Sequence, residues 1–353
     1  MARSAEVFQL EPPVNNQLTD NFGRRFSYLR LSITEQCNFR CQYCLPDGSS
    51  VDASCSKAEL TLPEIELLVR SFAALGTKKV RISGGEPSLR KDLCDIIRTI
   101  KAIPGIETVA LSTNGYRLKK DVQVWREAGL DQLNISIDSL DAATFALITG
   151  QDRLPDILEG LELASTLGFS AIKINTVLLK YYNAMALPDF LEFVQKRNIS
   201  LRFIELMQTG DSNAFFKKQQ QSASAWCDQL QQQGWQLLKP ALHSGPAREY
   251  QHPDYRGKIG FITPYSQQFC DDCNRLRVSS SGQLFLCLFA EQHQNMRPLL
   301  QAVLQRNEIF HSATPDTRPL QQWLQQQVQQ KTASHLLTSQ QTGATRHFAM
   351  IGG

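Results

Sequence analysis

The sequence predicts an α/β protein, an incomplete (β/α)6 TIM-like parallel barrel followed by a smaller C-terminal domain. Three observations carry this. From about Ser27 to Met207, short β-like runs alternate with amphipathic helical stretches, the spacing of βαβ units and a parallel sheet. About six such units fit, roughly two fewer than a closed eight-fold barrel contains. After about Gly210 the texture changes, with Gln-rich stretches and a Gly/Pro/His-rich region from His243 to Pro264.

The strand runs are Tyr28–Thr34, Lys79–Ser83, Thr108–Ser112, Gln132–Asp138, Ala171–Leu178 and Leu201–Leu206. Between them lies a helical pattern at Leu60–Leu75, opened by Thr61 as N-cap with Glu64 in the capping-box position and stopped by Gly76. Further patterns cover Leu89–Ala102, Lys119–Ala128, Leu154–Leu167 and Leu187–Lys196. The Gln-rich stretches Gln219–Gln221, Gln231–Gln233 and Gln321–Gln330 read as polar helix faces, because Trp226, Leu230, Trp235, Leu324 and Val328 punctuate them. The chain therefore divides into an N-terminal extension at 1–16, a candidate disordered segment, then the barrel at 17–235 and the C-terminal domain at 236–353.

The strands have an unusual face pattern. Arg30, Ser32 and Thr34 oppose Leu29, Leu31 and Ile33; Arg81 and Ser83 repeat the alternation, as do Asn134, Ser136 and Asp138, and Lys173 and Asn175. Side chains alternate at period two, whereas parallel strands buried on both faces read as continuous apolar runs. The apolar faces should meet the helices and the polar faces should line the interior. Convergence of Arg30, Arg81 and Lys173 there implies room for an anionic ligand.

Composition narrows the class. The 353 residues carry 37 Lys+Arg against 34 Asp+Glu, a net charge of +3, too small to argue for nucleic acid. No run approaches the ~20 apolar residues of a membrane span, and Met1–Pro13 has no apolar segment of a secretory signal. The nine cysteines are an odd number in such a chain, which fits reduced thiols in the cytoplasm better than a disulfide framework. Cys55, Cys94 and Cys227 are isolated and read as small packed hydrophobes.

The other six form two triads. Cys37, Cys41 and Cys44 follow the first strand with the spacing C-x3-C-x2-C. Structural zinc needs four ligands, usually from paired C-x2-C units. Three thiolates on one loop instead suit a [4Fe–4S] cube with one iron left open. This triad, with Tyr43 before its last cysteine and with Ser83-Gly84-Gly85-Glu86-Pro87 after the second strand, resembles the radical S-adenosylmethionine (SAM) superfamily. That resemblance implies that SAM chelates the open iron and yields a 5′-deoxyadenosyl radical.

Cys270, Cys273 and Cys287 give C-x2-C-x13-C. Spacing alone leaves two readings, a zinc site completed by His243 or His252, or a second cluster with its own open iron. The Arg275-Leu276-Arg277 run between these ligands, the stretch Leu201–Met207 and the Gly352-Gly353 end make the chain from about Gln17 closely similar to the GTP 3′,8-cyclase family. The resemblance implies two [4Fe–4S] clusters, with the second triad meeting the substrate. It implies SAM contacts at Tyr43, Gly85, Glu86, Ser136 and Met207. It implies GTP contacts at Arg30, Arg81, Ser112, Lys173, Arg275, Leu276 and Arg277, with Arg30, Arg275 and Arg277 catalytic. A lyase of molybdenum cofactor biosynthesis follows, converting GTP to (8S)-3′,8-cyclo-7,8-dihydroguanosine 5′-triphosphate. Its implied partners are an electron donor and cyclic pyranopterin monophosphate synthase as recipient of the product, with a monomer or homodimer as assembly and neither nucleic acid nor membrane. The glycine tail would enter the cavity. The alternatives are another radical SAM enzyme with an auxiliary cluster, and a metal-stabilised RNA-binding module.

Overall fold

The computed structural model describes residues 17–48, 58–210, 213–240, 245–266, 269–309, 315–335, 337–339, 341–345 and 347–351. Its strands are β1 (Tyr28–Ser32), β2 (Lys79–Ser83), β3 (Thr108–Thr113), β4 (Gln132–Ser136), β5 (Ala171–Leu178), β6 (Ser200–Glu205), β7 (Gln236–Leu237), β8 (Arg248–Gln251), β9 (Lys258–Ile262), β10 (Arg275–Val278), β11 (Gln283–Phe285) and β12 (Gln294–Asn295). The helices are α1 (Leu62–Ala74), α2 (Leu93–Lys101), α3 (Leu118–Glu127), α4 (Ala142–Thr149), α5 (Leu154–Thr166), α6 (Leu187–Gln195), α7 (Asn213–Gln219), α8 (Ser224–Gln232), α9 (Arg297–Ile309) and α10 (Arg318–Val328). The extension at 1–16, Cys55, His243 and the terminal Gly352-Gly353 lie outside the described residues.

All strands join one sheet in the order β12-β11-β10-β1-β2-β3-β4-β5-β6-β9-β8-β7. The six predicted strands are its parallel centre. The C-terminal third adds β10 parallel to β1 at one side and β9 parallel to β6 at the other. Each is then capped by antiparallel strands, β11 with β12 and β8 with β7, so the barrel stays open between β12 and β7.

The helical patterns fold for the reasons the sequence gives. Thr61 and Glu64 form a reciprocal capping box at the start of α1, and Arg297 of α9 then binds Glu64 at 2.9 Å, fastening the C-terminal part to the barrel's first helix. Helix α4 was not anticipated. Its apolar residues do not fall on one side, and its signals are the Asp141 N-cap and left-handed Gly150. Trp226, Leu230, Trp235, Leu324 and Val328 are buried, so Gln231–Gln233 and Gln321–Gln330 lie on or just past the polar sides of α8 and α10. Gln219–Gln221 differs, because Gln219 ends α7 buried, with its Oε1 accepting from Tyr181 N at 3.1 Å, and the next two residues lie beyond the helix. Cys94 and Cys227 pack against the main core. The outward strand residues Leu29, Leu31, Ile82, Leu133, Ile135 and Ile174 are fully buried beneath the helices.

Candidate active site

The inward strand faces meet as expected: Ser32, Arg81, Ser83, Asn134 and Asp138 are buried there, while Arg30, Ser112, Ser136, Lys173 and Asn175 keep partial exposure to the interior space. Parallel register sets Arg30 beside Arg81 on one side and beside Arg277 on the other. The same rule puts Asn134 beside Lys173, and Asn175 beside Arg202. Arg81, Lys79, Arg202 and Arg277 are all at most 7% exposed. Lys79 donates to Gln132 Oε1 at 2.7 Å and lies 5.2 Å from the Tyr28 ring, with the Arg81 guanidinium 5.5 Å from it. The carboxylate that joins this layer is Glu249, which accepts from Arg202 at 2.5 Å and from Ser200 at 2.8 Å. Gly260 lies between them, and a Cβ there would come 3.2 Å from Arg202 Cγ and 3.3 Å from Glu249 Cγ.

So many cations in one dry space repel each other. Burial pushes the Lys79 ammonium down to about 7, helped by Arg81, Arg202 and Arg30. Burial likewise pushes Lys173 down to about 7, with Arg202, Lys79 and Arg81 adding to it, and Arg81 down to about 9. Arg81 Nε and Ser112 Oγ are buried and find no hydrogen-bond partner among the described residues. Two unmet polar groups beside so many cations are complementary to a polyanion. The sequence reading missed Lys79 and Arg202. Their signal was present, since they share the period-two faces of Arg81 and Ser200.

The two triads sit at opposite ends of β1. Cys37, Cys41 and Cys44 follow its C-terminal end and line a cavity with Tyr43, Gly85, Ser112, Ser136, Asp138 and Met207. Cys270 and Cys273 precede β10, which runs parallel to β1. Cys287 follows β11, which is antiparallel to β10, and so returns to the same end. The arginine layer lies between the triads. His252 does not join the second triad: it packs on Trp235 and Tyr255.

In the first triad, burial raises Cys37 to about 11 and Cys44 to about 12. Three half-buried thiols of this kind become good ligands when metal replaces their protons. The three thiols line one cavity, and iron–sulfur clusters are held by cysteine thiolates. The donor set therefore fits a cluster. Gly85 is demanded by close approach, because a Cβ there would lie 2.2 Å from the Gln36 carbonyl oxygen.

Three residues fall differently from the expectation. Glu86 is fully buried and does not line the cavity. Its carboxylate accepts from Ser88 N at 3.0 Å, Thr113 Oγ1 at 2.8 Å and Asn114 N at 2.6 Å, so it braces two loops instead of facing a ligand ammonium. Leu276 is buried in the helix-facing core, because it alternates with Arg275 and Arg277 along β10. Ser112, expected at the nucleotide, lies in the first-triad cavity. Asp138 was recognised only as a polar strand residue. It takes the Tyr43 hydroxyl at 2.8 Å and Val177 N at 2.8 Å, and burial raises it to about 6.

The described part of the C-terminal tail reaches this space. Phe348 and Ala349 line the first-triad cavity, and Thr345 is anchored to the Leu288 carbonyl at 2.5 Å.

Comparison with known proteins identifies the family. A family model described as Radical SAM superfamily matches residues 31–194, and one described as Molybdenum Cofactor Synthesis C matches residues 199–337. A protein of Vibrio parahaemolyticus named GTP 3′,8-cyclase is 48% identical over 340 residues, covering 96% of this chain and 98% of its own. One of Stenotrophomonas maltophilia with the same name is 51% identical over 338 residues, covering 96% of this chain and 100% of its own. Among solved structures, Streptococcus suis SuiB bound to S-adenosylmethionine aligns with a TM-score of 0.59 at 14% identity, over 78% of this chain and 65% of that one. That likeness concerns the fold.

Proposed function

This chain belongs to the GTP 3′,8-cyclase family of the radical SAM superfamily, and from that premise we propose that it converts GTP to (8S)-3′,8-cyclo-7,8-dihydroguanosine 5′-triphosphate in molybdenum cofactor biosynthesis. The observation that carries the substrate is the inner-face layer of Arg30, Lys79, Arg81, Lys173, Arg202 and Arg277, four of them buried, with Glu249 as the carboxylate joined to it. A triphosphate supplies several negative charges, and guanidinium forks match its oxygens.

Cys37, Cys41 and Cys44 would hold the cluster that binds SAM, and Cys270, Cys273 and Cys287 the second cluster. Bound there, the first cluster and SAM would supply a 5′-deoxyadenosyl radical. Every other task falls to the chain's own side chains. Tyr43, Gly85, Ser136 and Met207 contact SAM, with Asp138 fixing the Tyr43 hydroxyl and Glu86 bracing the Gly85 loop. The arginine layer anchors the triphosphate at mid-barrel, so that the ribose C3′ lies toward the first triad and the guanine toward the second. Arg275, leading β10 beside the second triad, and Arg30 and Arg277 orient the nucleotide for attack of C3′ on C8. Burial keeps water from the radical, and most of the rate gain is orientation.

We assign residues 17–235 to the SAM-binding barrel and 236–353 to the domain of the second triad, whose Phe348 and Ala349 line the first-triad cavity. An electron donor and cyclic pyranopterin monophosphate synthase are the partners this chemistry requires. Among the described residues no helix is long and apolar enough to cross a membrane, and the reduced triads suit the cytoplasm. The experiment is anaerobic turnover with SAM, a strong reductant and GTP deuterated at C3′. Deuterium in the 5′-deoxyadenosine supports the assignment, and unlabelled 5′-deoxyadenosine removes C3′ as the target.

A further inference from the structure

Behind the second triad lie two buried cations that the reaction above does not use. Arg24 is held by Asp20 at 2.7 Å. Its Nη1 donates to the Cys270 carbonyl at 3.1 Å and to the Ala333 carbonyl at 2.6 Å, and its Nη2 donates to the Thr332 carbonyl at 2.6 Å. One guanidinium thus ties the first cysteine of the triad to the segment that begins with Lys331.

Lys331 is 5% exposed. Its Nζ donates to the carbonyl of Leu286, the residue before Cys287, and lies 5.4 Å from the Phe26 ring. Lysine normally keeps its ammonium in water, and burying it without a negative partner is costly. Among the described residues no carboxylate forms an ion pair with it. The sulfurs are the negative groups at hand. Lys331 sits on the carbonyl next to Cys287, Arg24 on the carbonyl of Cys270, and Arg275 Nη2 lies 3.7 Å from the Cys273 sulfur, so cations surround the triad.

We propose that Lys331, held in place through Arg24, is the buried counter-charge of the second iron–sulfur cluster and raises its reduction potential. Reduction adds a negative charge to the cluster, and a fixed cation beside it in a low-dielectric setting favours that state. Lys331 is a positioning residue, since it acts through the cluster and its loop. The inference rests on the reading that Cys270, Cys273 and Cys287 hold a cluster.

The test uses the full chain with Cys37, Cys41 and Cys44 all replaced by alanine, so that a cluster can form only at the second triad. Iron, sulfide and the EPR-monitored midpoint potential are measured in this parent and with Lys331→Met or Lys331→Arg added. About four iron and four sulfide in the parent establish the cluster itself. A midpoint more negative in Lys331→Met and near the parent in Lys331→Arg is expected. Loss of the cluster in Lys331→Met with retention in Lys331→Arg supports the same role, because charge is what rescues. An unchanged midpoint in a fully loaded Lys331→Met variant overturns the inference, and so does loss of the cluster in both variants. A parent without iron overturns the underlying reading instead.

Discussion

Arg30 and Arg81 stand side by side on paired parallel strands, in direct register and with both side chains on the inner face of the sheet. Their mutual repulsion is held in place by the sheet's hydrogen bonds and by the apolar residues that alternate with them.

Replacing one of these cations should trade binding for stability. In Arg81→Met, loss of charge-assisted contacts worth about 1.5–3 kcal/mol raises the GTP Kd roughly tenfold to a hundredfold. The ligand-free protein melts at the same temperature or higher, because a buried, incompletely bonded guanidinium has been removed. Calorimetric titration and a thermal melt measure both. A large fall in melting temperature with GTP affinity intact would remove the anion cradle.

Lys79 and Lys173 make binding proton-linked. Both ammonium groups titrate near 7 in the folded protein, below the unfolded value. The unfolded chain therefore binds more protons between that value and the unfolded one, so stability rises with pH across this window. GTP restores the charged forms, so binding at pH 8 takes up on the order of one proton. Titration calorimetry in buffers of different ionisation enthalpy reads that uptake, and Lys173→Met reduces it. Proton release on binding would contradict the placement of the triphosphate.

Gly85→Ala should act on the first triad. The new Cβ would press on the Gln36 carbonyl oxygen beside Cys37, at a cost of about 1–3 kcal/mol. Iron bound by the first triad falls while the second triad keeps its own. Gly245→Ala, where nothing lies within 4 Å, is the control and leaves both unchanged.

Glu86→Gln separates bracing from ligand contact. The carboxylate serves three protein donors, so an amide in its place forces a donor against Asn114 N or Ser88 N and costs about 1–3 kcal/mol. The melting temperature falls. A loss of SAM affinity with an unchanged melt would show instead that Glu86 touches the ligand directly.

The sequence read the barrel well because period-two alternation in Leu29–Thr34, Asn134–Asp138 and Lys173–Asn175 is local information. It predicted the six central strands, the Thr61 capping box and the cation-bearing faces. Lys79 and Arg202 escaped because neither was matched to a motif, although each alternates with apolar neighbours as Arg30 does. Glu86 was assigned to the ligand because a motif names a residue without showing which way its oxygens turn.

Sequence alone determined the element order, the two cysteine triads and the excess of cations on the inner faces, since all three depend on residue type and spacing along the chain. Tertiary structure alone decided that β9 and β10 extend opposite sides of the same sheet, and that the triads therefore lie at opposite ends of β1. It also decided that Glu249 reaches Arg202 past the bare Cα of Gly260. These are pairings between residues distant in sequence, chosen by strand register and by which apolar faces can be buried together, and no local pattern encodes that choice.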